Sequence, residues 1–178
     1  MIRRLAAAIG CGLLVGVALG GFAGNNPIGG LPGFNETLAT ADAKLNAPAA
    51  QAVISSYRTN NGLGPVSIDP ELMTLAGEQA RAMAQGDKLD HNVSRPFQQR
   101  IQQSTFDASV AVENIAAGYD TLAEAFSGWR ASPSHRANML NPAVTKMGIA
   151  AVYAPKSKYK VFWSLILAKP DDQRSAER

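Results

Sequence analysis

The chain has two histidines among its 178 residues, His91 and His135. Its densest run of polar and aromatic side chains is VENIAAGYDTLAEAFSGWRASPSHR, from Val112 to Arg136. That run places Glu113 beside Asn114, a second acid at Glu124, Trp129, and a Ser-Pro-Ser-His turn ending at His135. Imidazole and carboxylate together bind a divalent cation or form an acid–base pair. The spacing is not that of a zinc motif: the chain contains neither H-x-x-x-H nor H-E-x-x-H. No G-x-S-x-G elbow marks a nucleophilic serine. Asp120 and Glu113 stand too far from other acids to read as a glycosidase pair. A second reading of the same residues is structural. In it Glu113 caps local backbone amides, and the histidines bond to it or to solvent.

Local rules sort part of this set. Thr121 and Glu124 match the S/T-x-x-E capping box, so Glu124 is expected to turn back to the Thr121 amide. Ser132-Pro133 reads as a new helix start, with Ser132 at the cap and Pro133 at the first helical position. Trp129 shares an apolar face with Leu122, Ala125 and Phe126 and is expected in the core. His91 and His135 both fall at element boundaries, where side chains are presented rather than buried. Glu113 precedes NIAAG, read as the exit of a strand into a loop.

The elements that must position these residues follow from periodicity. Ala49, Ala52, Val53 and Tyr57 have helical spacing over Ala49 to Asn60. A second helix opens with Asp69 as N-cap and Pro70 behind it, and carries the stripe Leu72, Leu75, Ala76, Ala80 and Met83. QGDKLDHN ends that helix in the turn bearing His91. A short helix is expected around Pro96 to Gln103, and a short edge strand at Phe106 to Ala111. The third long helix spans Thr121 to Ala131, and a one- to two-turn helix carries His135 and stops before Pro142. Lys146 to Ala154 alternates, with Met147, Ile149, Ala151 and Tyr153 on one face. Tyr159 to Ala168 is a nearly continuous apolar strand, as expected where both faces are covered. Helices with a doubly covered hairpin predict an α+β fold, a three-layer α-β-α sandwich on a small antiparallel sheet.

The ends of the chain read differently from its middle. Two arginines precede LAAAIGCGLLVGVALGGFA, a basic start and an uncharged apolar run that predict a signal peptide over 1–23. Left uncleaved, the run is close to spanning length and would anchor the protein in a membrane. Cleavage near Ala23 removes Cys11, the single cysteine. Thiol catalysis, cysteine metal sites and disulfides are then excluded from the exported chain. Residues 24–46 read as a flexible linker, 47–170 as one domain, and 171–178 as a charged tail. The net charge of +3 is spread thinly, so nucleic acid is not an expected partner. A monomer is expected.

DHN (Asp90 to Asn92), ENIAAG (Glu113 to Gly118), W-x-x-SPSHRANML (Trp129 to Leu140) and MGIAAV in the penultimate strand, taken in order, resemble the bacterial branch of the CAP superfamily. That group, also called the SCP domain, includes cysteine-rich secretory proteins, antigen 5 and the plant pathogenesis-related proteins. YRTNNGLGPVSIDPEL resembles the family's first helix and loop, so the likeness covers about residues 47–168. It implies an α-β-α sandwich with a central cleft, lined in many members by two histidines and two glutamates that are proposed to hold a divalent metal. His91 and His135 match the two histidines and Glu113 the glutamate of the E-N motif, with Asn114 beside it. Gly148 lies at the matching distance in the strand. The second glutamate has no match: Ser132 stands nearest its place. The resemblance thus implies His91, Glu113, Asn114 and His135 as cleft residues. It implies His91, Glu113 and His135 as the ligands for any zinc or calcium. Family members are linked to lipid binding and to host or cell-wall interactions. The expected function is therefore non-enzymatic binding of a lipid, a small ligand or an envelope component. The alternative is a metal-assisted, protease-like hydrolase using the same cleft. A third reading is a structural envelope domain displayed by its linker.

Overall fold

The computed structural model describes residues 30–171. The expected signal segment, Cys11, the first part of the linker and the tail from 172 lie outside the described residues. Helix α1 (Ala47–Thr59) starts at Asn46, whose side chain accepts the Ala49 N–H. A two-residue strand, β1 (Ser67–Ile68), precedes α2 (Pro70–Gly86). Asp69 caps α2 as its sequence predicts, accepting from the Glu71 and Leu72 amides. Helix α3 (Phe97–Gln102) leads to strand β2 (Ala108–Ala117). Then come α4 (Leu122–Ala131), α5 (Pro133–Met139), and the hairpin of β3 (Lys146–Tyr153) and β4 (Val161–Pro170).

The strands form one sheet in the order β1-β3-β4-β2. β4 pairs antiparallel with both neighbours, while β1 runs parallel to β3. Every residue of β4 from Val161 to Ala168 is buried. Val161, Trp163, Leu165 and Leu167 pack on one face with Ala50, Val53 and Ile54 of α1 and Phe126 and Trp129 of α4. Ile166 and Ala168 meet Leu72, Leu75 and Ala76 of α2 on the other face, and Phe162 meets Met83. The result is the expected three-layer α-β-α sandwich.

Three features depart from the reading of the sequence. β2 is longer than the expected edge strand and runs through Glu113 instead of ending there; Glu113 pairs with Ile166. The polar pair Glu113-Asn114 hides the strand by interrupting its apolar pattern. Residues 30–46 form no helix or strand, as befits a linker, yet part of this segment is docked rather than free. Leu38 is buried in the core, its N–H donates to the Asp120 carbonyl, and Ala123 N–H donates to the Phe34 carbonyl. Ser132 starts α5 by position, but its hydroxyl makes no capping bond and lies 3.3 Å from the Ser134 hydroxyl.

A buried arginine ties the layers together. Arg58 is 1% exposed at the end of α1. Its guanidinium donates to the carbonyls of Gly64, Met139, Asn141 and Val144 at 2.8–3.0 Å. It thereby joins α1 to the end of α5 and the run into β3. Burial holds its pKa below the ordinary arginine value.

Gly148 is where α2 crosses the sheet. A Cβ there would lie 2.0 Å from the Leu72 carbonyl carbon and 2.4 Å from the Met73 nitrogen. Backbone cannot yield as a flexible side chain does, so Gly148→Ala must push α2 off β3. The expected loss is about 3 kcal/mol. It would appear as a lower denaturant midpoint at constant slope; an unchanged midpoint would contradict this close approach.

Candidate functional site

Glu113 sits mid-strand on the α2 and α3 side of the sheet, with its side chain 1% exposed. A carboxylate so buried must be neutralised or hydrogen-bonded. Arg100, from the last turn of α3 and equally buried, does both: its Nη2 lies 3.0 Å from Oε1 and 2.9 Å from Oε2. The Ser164 hydroxyl of β4 is 3.3 Å from Oε1. His91 Nδ1 is 2.8 Å from Oε2. Because the carboxylate accepts, His91 carries its hydrogen on Nδ1 and turns Nε2 outward. The His91 side chain is 45% exposed, so this nitrogen is the presented group of the cluster.

The turn that bears His91 is gripped from below. Arg100 Nη2 also donates to the His91 carbonyl at 3.1 Å, and Gln79 of α2 donates to the Asp90 carbonyl at 2.8 Å. Two consecutive carbonyls are thus held by buried side chains, which fixes the loop although it has no regular structure.

His135 arrives from the opposite face. Asn114, next to Glu113 on β2, points to the other side of the sheet and is 1% exposed. Its amide donates to the His135 carbonyl at 2.9 Å and accepts from Asn138 at 2.9 Å. Asn138 also donates to the Glu113 carbonyl, and Trp129 Nε1 to the Ile115 carbonyl at 3.4 Å. β2 is one edge of the sheet, and α4 and α5 cover it with these side-chain donors instead of a further strand. Asn114 is therefore a buried strut for α5, not a group that faces a ligand.

The two histidines open on two hollows along β2. His91 and Glu113 line one of about 350 Å³ with Pro96, Phe97, Val112 and Asn138. His135 lines another of about 230 Å³ with Leu89, Ile115, Tyr119, Trp129 and Ser132. Leu89 is 45% exposed, the one exposed large apolar side chain among the described residues. Partial burial of the His135 ring, and then its electrostatic interaction with His91, push the His135 pKa below the ordinary histidine value. A further hollow, between the end of α2 and the β3–β4 turn, holds neither histidine; its one acid, Asp87, is bonded to Ser157.

The expected site residues are therefore partly united. His91 and Glu113 touch, Asn114 positions His135, and Ser132 lies beside His135 where a second carboxylate was absent from the sequence match. Glu124 is a cap: its Oε2 accepts the Asp120 and Thr121 amides while its own amide donates to the Thr121 hydroxyl. Glu113 caps no backbone amide, contrary to the structural reading; it takes side-chain donors. Arg100 was missed, although one signal was present. Phe97, Arg100 and Ile101 fall at i, i+3 and i+4, so a charged residue sits on the apolar stripe of α3.

The donor set does not fit a divalent cation. Three donor atoms, Arg100 Nη2, His91 Nδ1 and Ser164 Oγ, already serve the two oxygens of Glu113, and an ion bound there would sit beside a buried guanidinium. Among the described residues no three His, Cys, Asp or Glu side chains are placed to hold a metal.

Together the fold and the cluster define an α-β-α domain whose edge strand carries a histidine–glutamate cleft. The chain belongs to the CAP family, the cysteine-rich secretory protein family, whose model matches residues 51–167. The uncharacterized protein YkwD of Bacillus subtilis (strain 168) is 30% identical over 128 residues, covering 64% of this chain and 49% of that protein. The chain thus spans about half the length of this curated relative. Solved structures share the fold. An outer surface protein from Borrelia burgdorferi matches with a TM-score of 0.62 at 21% identity, over 72% of this chain and 98% of that one. An extracellular protein containing an SCP domain from Bacillus anthracis matches at 0.60 and 22% identity, over 68% of this chain and 39% of the other.

Two outcomes are expected of this geometry. Arg100→Ala leaves a buried carboxylate uncompensated and is expected to lower stability by about 3–5 kcal/mol, measured by denaturant titration. A loss under about 1 kcal/mol would mean that Glu113 is solvated. For His135, the folded pKa lies below the unfolded one, so the unfolded chain binds the proton first as pH falls. Its contribution is complete above the ordinary value of 6.5 and is lost on acidification through the lower folded value. His135→Gln is expected to flatten the fall of Tm below that pH; identical acid limbs for the two proteins would contradict the burial.

Proposed function

We propose that this CAP-domain protein is exported and works by binding. Its edge-strand cleft holds a lipid, a small ligand or a cell-envelope component without transforming it. The observation that carries this reading is the condition of Glu113. Its charge is balanced by Arg100 and both its oxygens accept buried hydrogen bonds, which makes it a weak base and a poor nucleophile. What remains presented is His91 Nε2, the His135 ring and the apolar wall of Leu89, Ile115 and Tyr119. One polar anchor on an apolar wall orients and retains a ligand.

Export rests on the basic and apolar start of the sequence. The extracellular and outer-surface descriptions of the two structural neighbours support it. No helix of the described residues is long and apolar enough to cross a membrane.

The test is to purify the protein from its native host and extract it with organic solvent. The extract is then compared by mass spectrometry with that of His135→Ala. The reading expects a discrete co-purifying compound that is depleted at least about tenfold in the variant, matching the loss of one polar anchor. Identical extracts would reject the cleft as its seat. Zinc-dependent peptide cleavage that disappears in His135→Ala would establish the hydrolase instead.

A further inference from the structure

We propose that Arg100 is the built-in cation of this site: its guanidinium takes the place at Glu113 that a divalent metal would need, and it positions His91 without one. Three observations converge. The first is valence. A carboxylate offers about four acceptor positions. Ser164 Oγ is at Oε1, His91 Nδ1 is at Oε2, and Arg100 Nη2 shares a hydrogen between the two oxygens while its other hydrogen goes to the His91 carbonyl.

The second is charge. One buried carboxylate and one buried guanidinium sum to zero; a divalent ion added to them would leave a net charge of two beside a guanidinium that cannot deprotonate. A metal–oxygen bond is about 2.1 Å. An ion on either Glu113 oxygen would lie within roughly 5 Å of Nη2, where like charges repel strongly in a dry environment.

The third is reach. The same Nη2 that neutralises Glu113 donates to the His91 carbonyl, so one group fixes both the backbone and, through Glu113, the ring of His91. A metal would organise that turn only when bound; arginine does so permanently. Phe97 lies under the guanidinium, 5.2 Å from ring centroid to Cζ, and closes it from solvent. Arg100 lines neither of the two histidine hollows, so it is a positioning residue. Its role is independent of which ligand the cleft holds.

The test is calorimetric titration of zinc, then calcium, into the purified protein at neutral pH. Wild type is expected to give no saturable site at His91. Arg100→Gln removes the charge but keeps a donor, and is expected to gain a single zinc site, on the order of 100-fold tighter than any wild-type binding. That site should vanish in Arg100→Gln combined with His91→Ala. Arg100→Lys keeps the charge and should remain without zinc, a distinction that a purely structural role would not produce. A folded Arg100→Gln that takes no zinc overturns the proposal, as does wild-type zinc binding that His91→Ala abolishes. Should Arg100→Gln fail to fold, Arg100→Lys and wild type decide: a zinc site in either one, lost with His91→Ala, overturns it, and none in both upholds it.

Discussion

Strand β4 buries eight consecutive residues, Val161 to Ala168, and everything else follows from covering them. A strand apolar on both faces cannot lie at a surface, so helices must pack on each side. Its own neighbours are fixed by the hairpin with β3 and by the antiparallel β2, which leaves β2 at one edge. That position has a consequence. An edge strand needs its outward carbonyls answered, and here Trp129 and Asn138 answer them. Covering the edge brings α5 and His135 to the same strand that carries Glu113.

The second constraint is the carboxylate on that strand. Glu113 pairs with Ile166 at a register where its side chain points under α3 rather than into water. Neighbours on a strand point to opposite faces, so Glu113 and Asn114 reach in opposite directions, one to the His91 turn and one to the His135 helix. A single dipeptide thus organises both histidine hollows. The pattern that obscured the strand in the sequence is the pattern that builds the site.

Two buried arginines do comparable work at different scales. Arg58 gathers four carbonyls and has no carboxylate among its bonded partners; Arg100 meets a carboxylate and the carbonyls of His91 and Arg95. Each lies on the apolar stripe of its helix. Arg58 follows Ala50, Val53, Ile54 and Tyr57 at helical spacing, and Arg100 follows Phe97. Periodicity assigns neither arginine a role, because nothing local names its partner. Those partners lie 13 residues away for Glu113 and more than 80 for Met139.

The sequence alone determined the layers, the helix starts at Asp69 and Thr121, the capping role of Glu124 and the burial of Trp129. It also singled out His91, Glu113 and His135, of which the structure joins His91 and Glu113 directly. These are local facts: periodicity, caps and motif order are set by residues a few positions apart. The tertiary structure alone decided the length of β2, the parallel strand β1, the docking of residues 30–46 and the state of Glu113. Each of these depends on which distant group fills a hydrogen bond or a charge. The identity of a carboxylate is written in the chain, but whether it faces solvent, a metal or an arginine is set by packing.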